Sequence, residues 1–181
     1  KVDLNFDESG VEQEIVNEFT DSDGEAKVLV RRSEPARVTF TAVAERSSGN
    51  VELSDELVIE FVPESPVALS ATEVRNRSFI ANWEMVEGVD RYFLDVSTDE
   101  DFDTFVSGYQ NLNVGLTTDF KISNVKPGTR YYYRLRAEKD DLIGKNSDTI
   151  NVTTFPDVPV LNSPKNVVAT KFNVSCQSAA G

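Results

Sequence analysis

The sequence predicts an all-β protein of tandem β-sandwiches joined by short proline-rich linkers. Three observations lead to this prediction. Apolar residues alternate with polar ones in many short runs, as at Phe79, Ala81 and Trp83, and this is the period of a strand with one buried face. Turn-forming pairs such as Pro127-Gly128 separate the runs. No stretch carries a helical period of useful length.

Composition and charge exclude several classes of function. The chain has 18 basic and 31 acidic residues, a net charge of −13, which repels phosphate backbones and makes nucleic acid an unsuitable partner. No apolar run is long enough to span a membrane. There is no histidine and one cysteine, Cys176, so His-dependent catalytic triads, His-ligated metal sites and an intrachain disulfide are excluded. Acidic residues are plentiful, so composition alone leaves a glycosidase-like pair of carboxylates open. Because acids on the strands and turns of a small sandwich are usually solvated, we predict a protein that is not an enzyme and has no cofactor, catalytic residue or metal site.

Residues 1–62 contain several strand patterns. Alternation predicts strands at 2–6, 38–44 and 57–61, and the polar turn at 20–26 is predicted to lead into a strand at 26–31. These patterns predict a first domain that ends at residue 62.

The sequence of this first domain also resembles that of a known family. Thr20-Asp21-Ser22-Asp23-Gly24-Glu25-Ala26, followed by Val38-Thr39-Phe40-Thr41-Ala42 and a closing strand, is similar to the later half of an invasin/intimin-type bacterial Ig-like domain. The resemblance covers roughly residues 16–62. It implies an Ig-like β-sandwich whose earliest strands precede residue 1.

The stretch from Val125 to Ala137 combines a turn with a strand. Pro127-Gly128 is followed by a run in which alternate residues share one face: Tyr131, Tyr133, Leu135 and Ala137. This pattern resembles the E–F corner of a fibronectin type III domain, and Tyr131 takes the position of the corner tyrosine, whose hydroxyl is tied to the preceding backbone.

The same resemblance extends over residues 66–155. Strands are expected at 66–74, 79–83, 92–96, 120–122 and 150–152. The only tryptophan, Trp83, lies where the family buries its core Trp. Local sequences such as Ala81-Asn82-Trp83 and Pro127-Gly128-Thr129 are similar to the variant common in secreted proteins of Bacteroidetes-type bacteria. The resemblance implies a fibronectin type III domain at 63–156 with these structural core residues: Trp83, Tyr92, Tyr131, Tyr133 and Leu135.

The sequence then begins to repeat itself. Pro159 lies 93 positions after Pro66, and Phe172 lies 93 positions after Phe79. Residues 157–181 are therefore predicted to be the first strands of a second, incomplete repeat. At this offset Cys176 takes the position of Trp83, which predicts a thiol that faces a core.

Two joints share the pattern Pro-acid-x-Pro, at Pro63-Glu64-Ser65-Pro66 and Pro156-Asp157-Val158-Pro159. Each proline fixes its own φ and biases the preceding residue toward extended conformations. We therefore expect joints with little conformational freedom and domains arranged roughly end to end. We also expect the acidic residue to keep each joint hydrated.

Two acidic turns partly match the pattern of a calcium-binding EF-hand loop. The run Asp99–Asp103 has acids at positions 1, 3 and 5 of an EF-hand loop, but Thr104 replaces the glycine and Gln110 replaces the final glutamate. The run Asp21–Glu25 departs from the pattern as well. A calcium site of another kind between domains, and glycosylation at the Asn-x-Ser/Thr sequences, stay open alternatives.

The predicted function is that of a non-catalytic structural and adhesive spacer in a larger bacterial protein that is secreted or held at the cell surface. Its predicted partners are neighbouring domains of the same chain and a surface glycan or protein. One alternative is an accessory polysaccharide-binding module of a secreted glycan-degrading enzyme, for which Phe93, Tyr109 and Tyr132 are candidate sugar contacts. Another is a module of a phage virion fibre or decoration protein.

Overall fold

The computed structural model describes residues 2–6, 34–46, 49–168 and 170–176. Among these residues the regular elements are all strands, which confirms the all-β prediction, and no helix could cross a membrane. The turn predicted at 20–26 and the strand predicted at 26–31 lie outside the described residues. The strands are β1 (Val2–Phe6), β2 (Ala36–Arg46), β3 (Gly49–Phe61), β4 (Ala68–Thr72), β5 (Ser78–Trp83), β6 (Arg91–Ser97), β7 (Leu112–Gly115), β8 (Asp119–Ser123), β9 (Arg130–Lys139), β10 (Leu142–Ile143), β11 (Ile150–Thr153), β12 (Lys165–Val168) and β13 (Lys171–Asn173).

The chain divides into two compact units, one of residues 1–63 and 138–144, the other of residues 64–137 and 145–181. In the first unit β1, β2 and β3 form an antiparallel sheet in that order. Its register pairs Phe40 with Phe6 on one side and with Leu57 on the other. The strands expected at 2–6, 38–44 and 57–61 are present, and the Ig-like family of this unit stays a prediction.

The strands from β4 to β11 form two antiparallel sheets. One has the order β4-β5-β8; the other has the order β10-β9-β6-β7, with β11 beside β9. Rings from the two sheets meet in the interior: Phe79 of β5 lies 6.0 Å from Tyr131 of β9, and Trp83 of β5 meets Tyr92 of β6 edge-on at 5.8 Å. This arrangement is a β-sandwich with an aromatic core.

The core follows the alternation of the strands. In β5 every second residue from Phe79 is buried, and in β9 every second residue from Tyr131 to Ala137 is buried. The five residues predicted for the core are each at most 2% exposed: Trp83, Tyr92, Tyr131, Tyr133 and Leu135. Because their neighbours in the strands point outward, the outer faces carry the polar side chains.

The sequence pattern did not indicate two of the short strands, β7 and β10. The β9–β10 hairpin turns at Asp140-Asp141, whose φ values of 49° and 64° are both positive, as a two-residue hairpin of type I′ requires. Asp is a weaker signal for this turn than Asn-Gly. The short hairpin therefore left little trace in the sequence.

The segment after the sandwich forms a small hairpin of β12 and β13. Its pairs Leu161–Cys176 and Lys165–Asn173 lie 93 positions after Ala68–Trp83 and Thr72–Ile80 of β4 and β5. The register agrees with the predicted repeat, which stays a prediction. The expectation of a core-facing Cys176 is wrong: the residue is exposed, because no second sheet covers this hairpin among the described residues.

Candidate functional site

Four tyrosine hydroxyls join strands and loops of the second unit's sandwich by hydrogen bonds. The Lys126 amide donates to the Tyr131 hydroxyl at 2.7 Å, the corner geometry that the resemblance implies. The Val86 amide donates to the Tyr92 hydroxyl at 2.7 Å, and the Ser123 amide donates to the Tyr109 hydroxyl at 2.9 Å. The fourth hydroxyl, of Tyr133, donates to the Leu69 carbonyl. These bonds satisfy polar groups that would otherwise be buried without partners.

Replacing Tyr131 with phenylalanine is expected to lower the free energy of unfolding by about 1–2 kcal/mol, because the Lys126 amide loses its acceptor while the ring keeps its packing. Urea titration followed by circular dichroism measures the change. Tyr132→Phe is the matched control, since the adjacent ring is only partly buried and should change stability little. Equal effects of the two substitutions would contradict the corner's role.

Burial raises the pKa of Tyr133 to about 12 from an ordinary value of 10, against a weaker lowering by a backbone hydrogen bond at Asn82. Because the folded state holds this proton more tightly than the unfolded state, the associated stability is fully present below pH 10. It is lost as the pH rises from about 10 to about 12. We expect stability to fall in this window and Tyr133→Phe to flatten the fall, as measured by urea titrations at successive pH values. An equally steep fall in the variant would contradict this assignment.

The outer face of the β6–β9 sheet carries a buried carboxylate. Asp95 is only 3% exposed. Its Oδ2 accepts from Arg136 Nη1 at 3.0 Å and Arg134 Nε at 3.3 Å, and its Oδ1 accepts from the Asn111 amide at 2.6 Å. Arg136 also donates to the side chains of Asn111 and Asn146. The cluster satisfies a buried charge and joins β6, β9 and two loops.

The acidic turn after β6 lies beside this cluster. Asp99 uses both carboxylate oxygens as acceptors for backbone amides, of Asp101 at 3.1 Å and Asp103 at 2.8 Å. Phe102 is buried beneath the Arg134 guanidinium, whose central carbon lies 4.0 Å from the ring centre. Within the part of the chain that the structure describes, no group of three or more metal-ligating side chains is present.

The three aromatic residues considered as sugar contacts do not form one platform. The Tyr109 hydroxyl is bonded to the Ser123 backbone through both its oxygen and its proton. Phe93 precedes Asp95 on β6, and Tyr132 precedes Arg134 on β9. Tyr131 near the start of β9 contacts Phe79 near the start of β5, whereas Tyr92 near the start of β6 contacts Trp83 at the end of β5, so β6 and β9 run in opposite directions. Because Asp95 of β6 forms an ion pair with Arg134 of β9, the two rings lie on opposite sides of that pair. The outer face therefore presents charged side chains between separated rings.

A cleft of about 480 Å³ lies where the chain leaves the sandwich. The Phe155 amide donates to the Arg75 carbonyl at 3.1 Å, and the Gly128 amide donates to the Phe155 carbonyl at 3.0 Å. Asp157 accepts from Asn76 and Arg77 in the turn between β4 and β5. The residues that line the cleft are Glu73, Val74, Arg75, Asn76, Phe155, Pro156 and Val158. The sequence predicted Asp157 to be a hydrated linker residue; its side chain is 28% exposed and also accepts from donors about 80 positions away, which the sequence did not indicate.

These features define an antiparallel β-sandwich with a tyrosine corner. Residues 64–153 match the model of the fibronectin type III domain, and this part of the chain belongs to that family. The match confirms the resemblance drawn for residues 66–155.

Individual proteins are similar to this chain at low sequence identity. The cell adhesion molecule Dscam1 of Drosophila melanogaster is 25% identical over 158 residues, 82% of this chain and 7% of Dscam1. Neogenin of Rattus norvegicus is 26% identical over 175 residues, 90% of this chain and 12% of neogenin. The crystal structure of the chicken CNTN1 FN1-FN3 domains is 22% identical, with a TM-score of 0.44, and covers 71% of this chain and 45% of that one. The chain thus spans about a tenth of the length of these curated relatives.

Proposed function

We propose that the second unit serves as a non-catalytic spacer in a larger adhesive protein outside the cell or at its surface. The observation that carries this proposal is the position of the two ends of the sandwich. The Glu84 amide donates to the Val67 carbonyl at 2.9 Å, so the chain enters beside the end of β5. It leaves beside the β4–β5 turn, where the Phe155 amide meets Arg75. Since β4 and β5 are antiparallel, entry and exit lie at opposite ends.

A spacer needs this arrangement, because a domain entered and left at the same end adds no length to a chain. Similarity to a cell adhesion molecule supports an adhesive setting for the parent protein. The bacterial origin and the tandem repeat rest on the resemblances described above. The three aromatic residues considered as sugar contacts do not favour the alternative of polysaccharide binding, because Phe93 and Tyr132 are separated by the Asp95 cluster and the Tyr109 hydroxyl is bonded to Ser123.

Force spectroscopy on the 181-residue chain, held through its two ends, tests the proposal. A load-bearing sandwich over residues 66–155 should open in one discrete step, and its 90 residues at about 3.3–3.6 Å each should release about 30 nm, less the folded span. Trp83→Ala serves as the marker, because it should weaken this step and leave any step of the first unit unchanged. Gradual extension without a step of this size would overturn the spacer role.

A further inference from the structure

We propose that residues 156–159, called here the exit strap, are locked onto the fibronectin type III domain by Asp157, and that this lock sets the direction in which the chain leaves the domain. The lock is a pair of side-chain bonds. Asn76 Nδ2 donates to Asp157 Oδ1 at 2.8 Å, and Arg77 Nη2 donates to Asp157 Oδ2 at 2.7 Å. Because each carboxylate oxygen has its own donor, the two bonds fix the orientation of the carboxylate as well as its position.

Asp157 is the residue of the exit strap that most needs such a lock. Pro156 and Pro159 have their φ fixed by the pyrrolidine ring, and Val158 is restricted to extended conformations because it precedes a proline. Phe155 precedes the strap and is held by two backbone hydrogen bonds, to Arg75 and Gly128. Local geometry therefore leaves the main rotational freedom at Asp157, where the side-chain bonds act.

The lock does not follow from the Pro-acid-x-Pro pattern itself. Glu64 has the corresponding place in the first joint, where it is exposed and makes no hydrogen bond or ion pair to the described residues. In the predicted repeat, 93 positions later, Ala169 and Thr170 take the places of Asn76 and Arg77. Their side chains have neither an amide nor a guanidinium group. The lock is a property of this one joint.

The lock is also positioned to be reversible. The Arg77 side chain is 59% exposed and the Asp157 side chain is 28% exposed. Ion pairs so close to water are weak and are screened by salt. The exit strap can therefore detach without unfolding the sandwich, whose core residues it does not include.

Nuclear magnetic resonance on the 181-residue chain tests the proposal. The heteronuclear NOE of the Asp157 and Val158 amides reports motion of the exit strap, and hydrogen exchange of the Phe155 amide reports its detachment. Asp157→Ala should lower the NOE values to those of a mobile loop and speed Phe155 exchange by about fivefold, as expected for losing a pair worth roughly 1 kcal/mol. Arg77→Gln should act in the same direction to a smaller extent, and 0.5 M NaCl should reproduce part of its effect.

The controls separate the lock from general destabilisation. Glu64→Gln changes the matching acid of the other joint and should leave the exit strap unchanged. The double substitution Arg77→Asp with Asp157→Arg reverses the pair and should restore part of the order that either single reversal removes. Unchanged NOE and exchange values in Asp157→Ala would overturn the proposal, as would an exit strap that is already mobile in the wild type. A fall in Tm as large as that of a core variant would overturn it too, because the bonds would then support the fold and not the strap.

Discussion

Replacing Trp83 with alanine is expected to lower the free energy of unfolding of the second unit by about 3–5 kcal/mol. The indole is 2% exposed and packs edge-on against Tyr92 at 5.8 Å, so its removal leaves a cavity between the two sheets. Urea titration followed by circular dichroism measures the change. Tryptophan fluorescence is unsuitable, because the substitution removes the only tryptophan of the protein.

Two controls define the cause of this loss. Trp83→Phe keeps a ring in the core, and the indole N–H has no hydrogen-bond partner among the described residues, so this variant should lose about 1–2 kcal/mol, much less than the alanine variant. Met85→Ala removes an exposed apolar side chain and should change stability by less than about 0.5 kcal/mol. An alanine variant at Trp83 that unfolds within a few tenths of a kcal/mol of the wild type would show that the core is placed wrongly.

Replacing Asp95 with alanine is expected to cost about 2–4 kcal/mol. The substitution leaves the guanidinium groups of Arg134 and Arg136 without the carboxylate that lies between them, and it leaves the Asn111 amide without an acceptor. Both arginines are at least 20% exposed, so water can reach them and limits the loss.

Asp119 provides the matched control for Asp95. It is an exposed acid on a strand of the other sheet, and Asp119→Ala should change stability by less than about 0.5 kcal/mol. A double-mutant cycle of Asp95 and Arg136 should give a coupling energy of about 1–3 kcal/mol. A coupling near zero, or equal effects of the two alanine variants, would show that the cluster does not hold β6 to β9.

The strands of the second unit and most of its core were predictable because their information is local. Alternation places Phe79 and Trp83 on one face of β5 and Tyr131, Tyr133 and Leu135 on one face of β9, and one face of a sandwich strand must be buried. The corner was predictable for the same reason, since its turn and its tyrosine lie within a few residues of each other.

Other features depended on contacts between distant residues. Asp95 lies between the inward-facing Leu94 and Val96 of β6, and nothing in this local sequence indicates that an outward-facing acid is buried. Its burial comes from Arg134 and Arg136, about 40 positions away. Cys176 illustrates the converse case. Its position in the repeat predicted a core, but a face becomes buried only when a second sheet lies over it, and the described residues provide none there.

The sequence by itself determined the all-β class, the boundaries of most strands in the fibronectin type III domain and the inward-facing residues, because the period of two and the turn residues act over short distances. The tertiary structure alone decided which polar groups are paired. Asp95 and Asp157 are ordinary acids in the sequence. One becomes the centre of a buried cluster and the other the lock of the exit strap, because folding brings cationic and amide donors to them from other strands and turns.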